Sequence, residues 1–304
     1  MTEGNYTSVS IEEIGISSSK QRVDNFLLGK FKDLPKSKIY SIIRKGEVRI
    51  NGSRVKPHFK LSKGDKIRIP PLFINKHKPI QNFPEKVLVE EIKDRIIYED
   101  DEILAIDKKH NLAVHGGSRV SIGLIEIVRN FGKDYREAQL IHRLDKATSG
   151  CIILAKNKQS TRLYNSFIRS NQIIKKYHCL VHGSWSKDLN NVKLPLQINK
   201  KRNLPKIIVS EDGKYSETNF RLIKFNDYYS LLECSLETGR THQIRVHTSA
   251  SGFPIVGDLK YSSIALNKGI EKRMYLHCSS LEVKNKELKI TSKVPNSFFE
   301  AFED

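Results

Sequence analysis

The feature that most constrains this 304-residue sequence is the concentration of basic residues between Lys20 and Ile80, within which Pro70-Pro71 ends a short patterned module. Between Lys20 and Ile80 there are 17 Lys and Arg against four acidic residues, whereas the first 19 residues have three Glu and no basic residue. The formal net charge of the chain is +19, so this segment holds most of the excess. A uniform compositional bias would not concentrate charge in this way. We therefore predict a separate basic module with a polyanionic partner, because Lys and Arg displace counterions from phosphates.

The pattern of this module predicts two helices followed by a hairpin. Apolar residues at helical spacing predict a first helix over about residues 23–31 and a second over residues 35–45, with a proline in its first turn and a glycine as its stop. An alternating strand at residues 47–50, the Asn51-Gly52 turn and a strand at residues 67–69 complete the module. The charged residues of the second helix lie outside its apolar stripe. Taken alone, this arrangement also fits an ordinary solvated helix face.

This arrangement resembles the S4 RNA-binding domain, and the likeness runs from Arg22-Val23-Asp24 to Gly64-Asp65-Lys66-Ile67. The resemblance implies recognition of structured RNA through phosphates and shape. It does not specify any chemistry. The residues expected to contact RNA are Arg22, Lys36, Ser37, Lys38, Arg44, Lys45 and Arg49.

The change of pattern predicts four segments. We expect an N-terminal tail over residues 1–19, the S4-like domain over 20–70, a proline-containing linker over 71–92 and a larger domain over 93–304. Short strands broken by turns, with helices near residues 162–169 and 241–250, predict an α+β domain with a mixed, largely antiparallel sheet.

Several classes of protein are excluded or disfavoured. No stretch approaches the roughly 20 apolar residues that cross a bilayer, and the first 19 residues lack the pattern of a secretion signal. The ten histidines show no HExxH or paired Cys/His spacing, and no phosphate-binding glycine motif is present. We expect a cytoplasmic, reduced protein without metal or cofactor. The four cysteines are widely separated: Cys151, Cys179, Cys234 and Cys278.

An aspartate between a strand pattern and a glycine turn is the first candidate for chemistry. Asp145 has basic residues on both sides and hydroxyls three and four positions later, which would keep its carboxylate ionised and hydrogen-bonded. A lone aspartate here is more often a turn former or cap. The neighbours concerned are Arg143, Lys146, Thr148 and Ser149.

Two further clusters accompany this aspartate. Tyr177 opens an apparent strand, where an aromatic residue is normally part of the core. Residues 237–247 read as a strand that enters a helix, on which His242 and Arg245 are i, i+3 neighbours on one face. These residues predict a basic RNA-binding module joined to a domain with one well-supported aspartate and several arginines, but they do not define a reaction.

Three ordered motifs resemble those of pseudouridine synthases of the large-ribosomal-subunit family. The first is His142-Arg143-Leu144-Asp145 with Thr148-Ser149-Gly150, and the second is Lys176-Tyr177 with Val181-His182-Gly183. The third runs from Thr238 to His247 and continues in Pro254-Ile255 and Gly257-Asp258. The likeness covers about residues 20–295 and includes the S4-like module in front.

The resemblance implies a reaction and roles for four residues. Uridine's N1–C1′ bond breaks, the uracil turns and its C5 joins C1′, without a metal or cofactor. Asp145 would be the catalytic group, as nucleophile on the sugar or as base at C2′. Arg245 would pair with it, Tyr177 would lie against the uracil, and Arg143 would fill the space that the flipped nucleotide leaves.

One departure from the family is visible at Lys108-Lys109-His110-Asn111, where members usually have Lys-Pro-Ser-Gly or Lys-Pro-Ala-Gly. That loop borders the active site in the family, so its rigidity here is an open question.

The resemblance favours a monomer acting on 23S ribosomal RNA or on a large-subunit assembly intermediate. Three other functions remain open at this stage. The catalytic motifs are equally compatible with a synthase for transfer RNA or another 23S helix, and a non-catalytic ribosome-assembly factor could keep the fold. A two-carboxylate glycosidase is the remotest, because the motifs offer one convincing carboxylate.

Overall fold

The computed structural model describes residues 4–31, 34–75, 84–116, 122–199, 206–263 and 273–303. The chain forms two compact units, Met1–Gln81 and Asn82–Asp304. Each unit contains an apolar cluster of its own. In the described ranges no helix is both long and apolar enough to cross a membrane.

The first unit combines two helices with small antiparallel sheets. Helix α1 spans Val23–Lys30 and helix α2 spans Lys36–Arg44, close to the predicted bounds. The apolar stripe of α2 is buried as expected and joins residues of α1 and the strands in one core. Strands β2, β5, β3 and β4 are hydrogen-bonded in that order, and β1 pairs with β6. The strands are β1 (Gly4–Tyr6), β2 (Ser10–Glu13), β3 (Arg49–Ile50), β4 (Ser53–Arg54), β5 (Lys66–Ile69) and β6 (Phe73–Asn75).

The first 19 residues are not a separate tail, so this predicted boundary is wrong. Strand β2 pairs antiparallel with β5, from Ser10 opposite Ile69 to Glu13 opposite Lys66. Ile14, which follows, is buried in the core of the first unit. The strand covers an edge of β5 that would otherwise expose unpaired backbone groups. A four-residue strand has too short an alternating pattern to be recognised in the sequence, and its partner lies more than 50 residues away.

The predicted linker over residues 71–92 is also too long. Leu72 is buried in the first core, and β6 follows it. At the other end, helix α3 (Lys86–Lys93) buries Val89 and Ile92 in the core of the second unit. Residues 76–83, which include Pro79, lie outside the described residues.

The second unit is an α+β domain built on a ten-stranded sheet. The main strand order is β12-β15-β16-β11-β17-β10-β8-β7, with β18 on β17 and β9 on β10. All pairs are antiparallel except β10 with β17, which confirms the predicted mixed, largely antiparallel sheet. The sheet strands are β7 (Ile96–Glu99), β8 (Ile103–Lys108), β9 (Gln139–Leu140), β10 (Ser149–Ala155), β11 (Ile173–His182), β12 (Asn191–Lys193), β15 (Glu217–Phe225), β16 (Tyr229–Leu236), β17 (Leu276–Val283) and β18 (Leu288–Thr291).

Three helices and a hairpin complete the second unit. The helices are α4 (Leu124–Val128), α5 (Lys158–Arg169) and α6 (Gln243–Ala250), and the hairpin is β13 (Leu196–Asn199) with β14 (Lys206–Val209). Helix α5 begins earlier than predicted because the side chain of Asn157 caps it by accepting the Ser160 N–H at 2.9 Å. Helix α6 begins two residues later than predicted because His242 has left-handed backbone angles, with φ 55°.

A close approach of two strands positions the start of β10. Gly150 has φ 104°, and a Cβ at this position would collide with the backbone of Cys278 in β17. Glycine removes that collision and tolerates the positive φ, so β10 and β17 can pair in parallel here. The loop that ends at β10 carries Asp145, and its position therefore depends on this contact.

Candidate active site

Asp145 lies in the loop between β9 and β10 and lines a pocket of about 270 Å³ in the second unit. The same pocket is lined by Arg143, Tyr177 and Arg245, so the four residues singled out from the sequence meet at one place. They come from the loop, from β11 and from α6. The sheet, one loop and one helix therefore assemble the site from segments that span about 100 residues of the sequence.

A guanidinium fork holds the aspartate. Arg245 donates from Nη1 to Oδ2 of Asp145 at 2.7 Å. Its Nε and Nη2 donate to the two carboxylate oxygens of Asp258 at 2.8 and 2.9 Å. The side chain of Asp258 is 0% exposed, that of Arg245 9% and that of Asp145 20%. The bidentate contact fixes the plane of the guanidinium, which then orients Asp145.

The charge of Arg245 is stable in this setting. Burial opposes the charged form, but the hydrogen bonds to Asp258 and the charges of Asp258 and Asp145 raise the pKa of Arg245 above its usual value. The guanidinium therefore remains a permanent cation beside the aspartate at any working pH.

His242 is a second neighbour of the aspartate that the sequence analysis did not select. Its Nε2 lies 3.5 Å from Oδ2 of Asp145, and its Nδ1 lies 2.7 Å from the Tyr261 hydroxyl. Burial lowers the pKa of His242 to about 4, although the nearby Asp145 opposes this shift. The ring is therefore neutral at physiological pH and adds no positive charge.

Tyr177 contributes a buried ring to the pocket. It belongs to β11 and is 6% exposed. Burial and the neighbouring Cys278 thiol raise the pKa of Tyr177 well above 10. The hydroxyl therefore stays protonated at neutral pH, so this side chain is suited to packing and poorly suited to act as a base.

The sequence neighbours of Asp145 do not hold its carboxylate, in contrast to our expectation. Arg143 is exposed where it lines the pocket, and Lys146 is exposed as well. The Thr148 N–H donates to the backbone carbonyl of Asp145 at 3.1 Å, and the Ser149 hydroxyl bonds Nδ1 of His277 at 3.0 Å. Within the described residues the carboxylate is bound by groups far away in sequence.

The atypical loop after β8 is tied down by a buried lysine. Lys108 is 0% exposed, and its Nζ donates to the backbone carbonyls of Lys109, Leu112 and Lys146 at 2.8, 2.9 and 3.2 Å. Burial lowers the pKa of Lys108 to about 7, against the opposing charges of Asp145 and Asp107. The contact with Lys146 links this loop to the one that carries Asp145.

Sequence reasoning missed Lys108, His242 and Asp258 as parts of the site. For His242, its i, i+3 spacing from Arg245 was a usable signal. Asp258 stands in the third motif, but nothing in its local sequence indicates that it binds the other side of Arg245. Lys108 resembles any strand lysine until the fold buries it.

The residues expected to contact RNA lie on the first unit and are exposed. Arg22 is paired with a buried carboxylate, because its Nη2 is 2.6 Å from Oδ2 of Asp24. We call the four basic residues of α2 and its C-terminal end the basic surface of α2: Lys36, Lys38, Arg44 and Lys45. Ser37 lies on the same helix, and Arg49 lies at the start of β3, where it donates to the carbonyl of Gly46 at 3.4 Å.

In the described parts of the chain, no group of three or more His, Cys, Asp or Glu side chains could hold a metal ion. The pocket brings together a carboxylate, a fixed cation and an aromatic ring. These are the residues to which the motif resemblance assigned a part in RNA modification.

Comparisons with known proteins agree with this resemblance. Sequence models match the S4 domain at residues 21–67 and RNA pseudouridylate synthase at residues 102–250. Ribosomal large subunit pseudouridine synthase C of Escherichia coli (strain K12) is 40% identical over 282 residues, covering 90% of this chain and 88% of that protein. The protein of the same name from Pasteurella multocida (strain Pm70) is 38% identical over 294 residues, covering 94% and 90%.

A solved structure shows the same fold in the larger part of the chain. Human RNA Pseudouridylate Synthase Domain Containing 1 has a TM-score of 0.60 and 25% identity, covering 71% of this chain and 88% of that one. The chain belongs to the RNA pseudouridylate synthase family. The predicted S4 domain and the predicted enzyme class are confirmed.

Proposed function

We propose that this pseudouridine synthase isomerises specific uridines of 23S ribosomal RNA. Relatives that cover 90% of the chain at 40% identity are named for the large ribosomal subunit, and the S4 domain supplies an RNA-binding module. The observation that carries the proposal is the Asp145 carboxylate, fixed by Arg245 in the pocket that Tyr177 also lines.

Asp145 acts on the sugar of the target nucleotide. It serves either as nucleophile at C1′ or as the base that removes the C2′ proton, and both roles require the ionised carboxylate that Arg245 stabilises. The target nucleotide must leave its stack to reach this group, because the reacting atoms are inaccessible inside a helix. The neutral His242 leaves the carboxylate's charge uncompensated on that side.

Tyr177 and Arg143 have supporting roles in this scheme. The Tyr177 ring packs against the uracil and retains the detached base while it turns. The exposed guanidinium of Arg143 enters the space that the flipped nucleotide leaves in the RNA, where its planar shape replaces the lost stacking.

We assign RNA affinity chiefly to the first unit and chemistry to the second. The basic surface of α2 binds phosphates, with further contacts from Arg22, Ser37 and Arg49. The enzyme acts as a monomer in the cytoplasm, on 23S RNA or on a large-subunit assembly intermediate. The concentration of positive charge in residues 20–80 supports this division.

The proposal is tested by mapping pseudouridine in large-subunit RNA after incubation with the purified protein. We expect new pseudouridine with wild type and at least a 10³-fold lower rate with Asp145→Asn, because the amide neither attacks C1′ nor takes a proton. RNA affinity should be retained. Asp188→Asn, a change at an exposed loop aspartate of the same unit, is the matched control and should behave as wild type.

A second comparison, on RNA from cells, separates the other functions. Transfer RNA and large-subunit RNA from a deletion strain, each compared with its parent, identify a synthase for a different RNA if the missing modification lies outside 23S RNA. Near-normal turnover by Asp145→Asn would overturn the catalytic assignment. Wild type that binds ribosomal RNA or a precursor particle but modifies neither would instead identify this chain as a non-catalytic ribosome-assembly factor.

A further inference from the structure

Lys175 is a pocket residue to which the proposed mechanism gives no task. It lies on β11 two residues before Tyr177, and both side chains line the pocket. The side chain is half-buried, and burial lowers the pKa of Lys175 from its usual value. Its ammonium makes no hydrogen bond or ion pair with any residue that the structure describes. A desolvated cation without an acceptor is costly, so a pocket that keeps one is suited to a guest that supplies the acceptor.

His142 lines the same pocket and adds a second donor without an acceptor. Its Nε2 accepts the Ile153 N–H at 3.1 Å, so this nitrogen carries a lone pair. Burial, and then the charge of Lys175, lower the pKa of His142 to about 3, and the ring is neutral. The proton therefore resides on Nδ1, which is buried and has no hydrogen-bond partner among the described residues. Lys175 and His142 are thus two pocket-lining residues whose donors have no acceptor within the described part of the chain.

We propose that Lys175 is a catalytic residue that hydrogen-bonds a carbonyl oxygen of the target uracil and stabilises the base as it leaves the sugar. The inference rests on the proposed isomerisation and on Tyr177 as the surface under the uracil. Residues two apart on a strand are about 6.6 Å apart. The flexible lysine stem spans that distance, so the ammonium can reach the edge of a base that lies on the Tyr177 ring.

The chemistry explains why a cation is useful there. When the N1–C1′ bond breaks, its electron pair stays with the uracil, whose negative charge is shared by N1, O2 and O4. That electron density then forms the C5–C1′ bond, C5 loses its proton and N1 gains one, so the overall change is an isomerisation. Lys175 transfers no proton. It acts through a hydrogen bond that strengthens as the carbonyl oxygen gains charge, and only such an interaction raises the rate of the chemical step.

The lining of the pocket favours the base over an RNA phosphate as the partner of Lys175. Six aliphatic side chains line the same pocket: Ile141, Leu144, Ile168, Leu236, Ile244 and Leu276. An apolar lining suits a flat neutral base, whereas a phosphate would have to give up its water. The exposed basic surface of α2 offers phosphates a better-hydrated site.

The test measures single-turnover pseudouridine formation on large-subunit RNA, together with the dissociation constant and its salt dependence. We expect Lys175→Met to lower the rate at saturating RNA about 10²-fold, as loss of one such donor does elsewhere. RNA affinity should change less than about twofold, with the same salt slope. Lys175→Arg should recover most of the rate. Lys289→Met removes an exposed strand lysine outside the pocket and is the matched control.

Each outcome decides the proposal. Weaker binding with a salt slope reduced by about one unit, and an unchanged rate at saturation, would identify Lys175 as a phosphate contact and overturn the inference. A Lys175→Met rate equal to that of Lys289→Met would also overturn it. Absence of product with wild type would contradict the proposed substrate, and this result is distinct from a loss confined to Lys175. Lys175→Gln, which keeps a polar side chain, checks that a loss of rate does not come from misfolding.

Discussion

Both units contain an arginine paired with a buried aspartate, but the two pairs differ in what surrounds the arginine. In the first unit, Asp24 is 1% exposed and its partner Arg22 is 47% exposed. In the second, Asp258 is 0% exposed and its partner Arg245 is 9% exposed and also contacts Asp145. The first pair holds a surface arginine in place, whereas in the second a buried guanidinium bridges two carboxylates. In this protein, the Arg–Asp contact that belongs to the pocket is the one whose arginine is buried and also binds a second carboxylate.

Asp24 illustrates the structural version of the contact. Burial opposes its charge, but hydrogen bonds from Arg22, the Tyr40 hydroxyl and the Asn25 N–H lower the pKa of Asp24 below its usual value. Tyr40 lies on α2 and Asp24 on α1, so the carboxylate joins the two helices. It keeps two other donors if Arg22 is removed.

The largest difference between the pairs should appear when each arginine is replaced by methionine. Arg245→Met leaves the Asp258 carboxylate buried without its guanidinium and should lower the free energy of unfolding by about 3–5 kcal/mol. Pseudouridine formation should fall at least 10³-fold, because Asp145 loses its cation. Arg22→Met should weaken RNA affinity, because Arg22 is an expected RNA contact, but it should retain the rate at saturating RNA and cost much less stability. Denaturant unfolding and single-turnover assays on both variants check this, and similar losses for the two would break the comparison.

A second experiment addresses the exposed charges of the first unit. Replacing the basic surface of α2 by four glutamines should weaken RNA binding about 10- to 10²-fold at low salt and reduce the salt slope by about three units. Stability should hardly change, because these side chains are solvated. Titrations of RNA at several salt concentrations provide the measurement.

The control for this experiment removes the same charge from the second unit. We would replace four exposed lysines by glutamine: Lys187, Lys284, Lys289 and Lys293. An equal loss of affinity in this variant would show that net charge, and not the position of the basic surface of α2, governs binding.

The smallest effect concerns Lys108, the buried cation beside the Asp145 loop. Its pKa is about 7 in the folded protein and 10.5 when unperturbed, so between these values the unfolded chain binds more protons. The free energy of unfolding should therefore rise with pH above 7, by about 1 kcal/mol per pH unit. Lys108→Met should lack this component. Denaturant curves of both proteins from pH 7 to 9 test it, and parallel pH profiles would contradict it.

Features of the fold and site could be predicted from local pattern where they depend on residues close together in the sequence, and could not be predicted from it where they depend on distant residues. Helices α1 and α2 were predictable because their apolar spacing and end residues are local, and Asp145 because a recognisable motif surrounds it. The pairing of β2 with β5 was not predictable, since it joins residues more than 50 positions apart. The Asp145 contact with His242 has the same character, whereas the pairing of Arg245 with Asp145 was expected from the family resemblance and is present at 2.7 Å. Local sequence suggested Thr148 and Ser149, but Thr148 contacts the backbone carbonyl of Asp145 through its N–H, and the Ser149 hydroxyl contacts His277.

The fork at Arg245 has a consequence for the symmetry of the reacting carboxylate. The two oxygens of a free carboxylate are equivalent, but here Arg245 and His242 both approach Oδ2 of Asp145. Oδ1 has no hydrogen-bond partner among the residues that the structure describes. The folded chain thus separates the two oxygens into an anchored atom and a free one before any RNA arrives. Under the proposed mechanism, each turnover would begin from the same oxygen, with no rotation of the carboxyl group required.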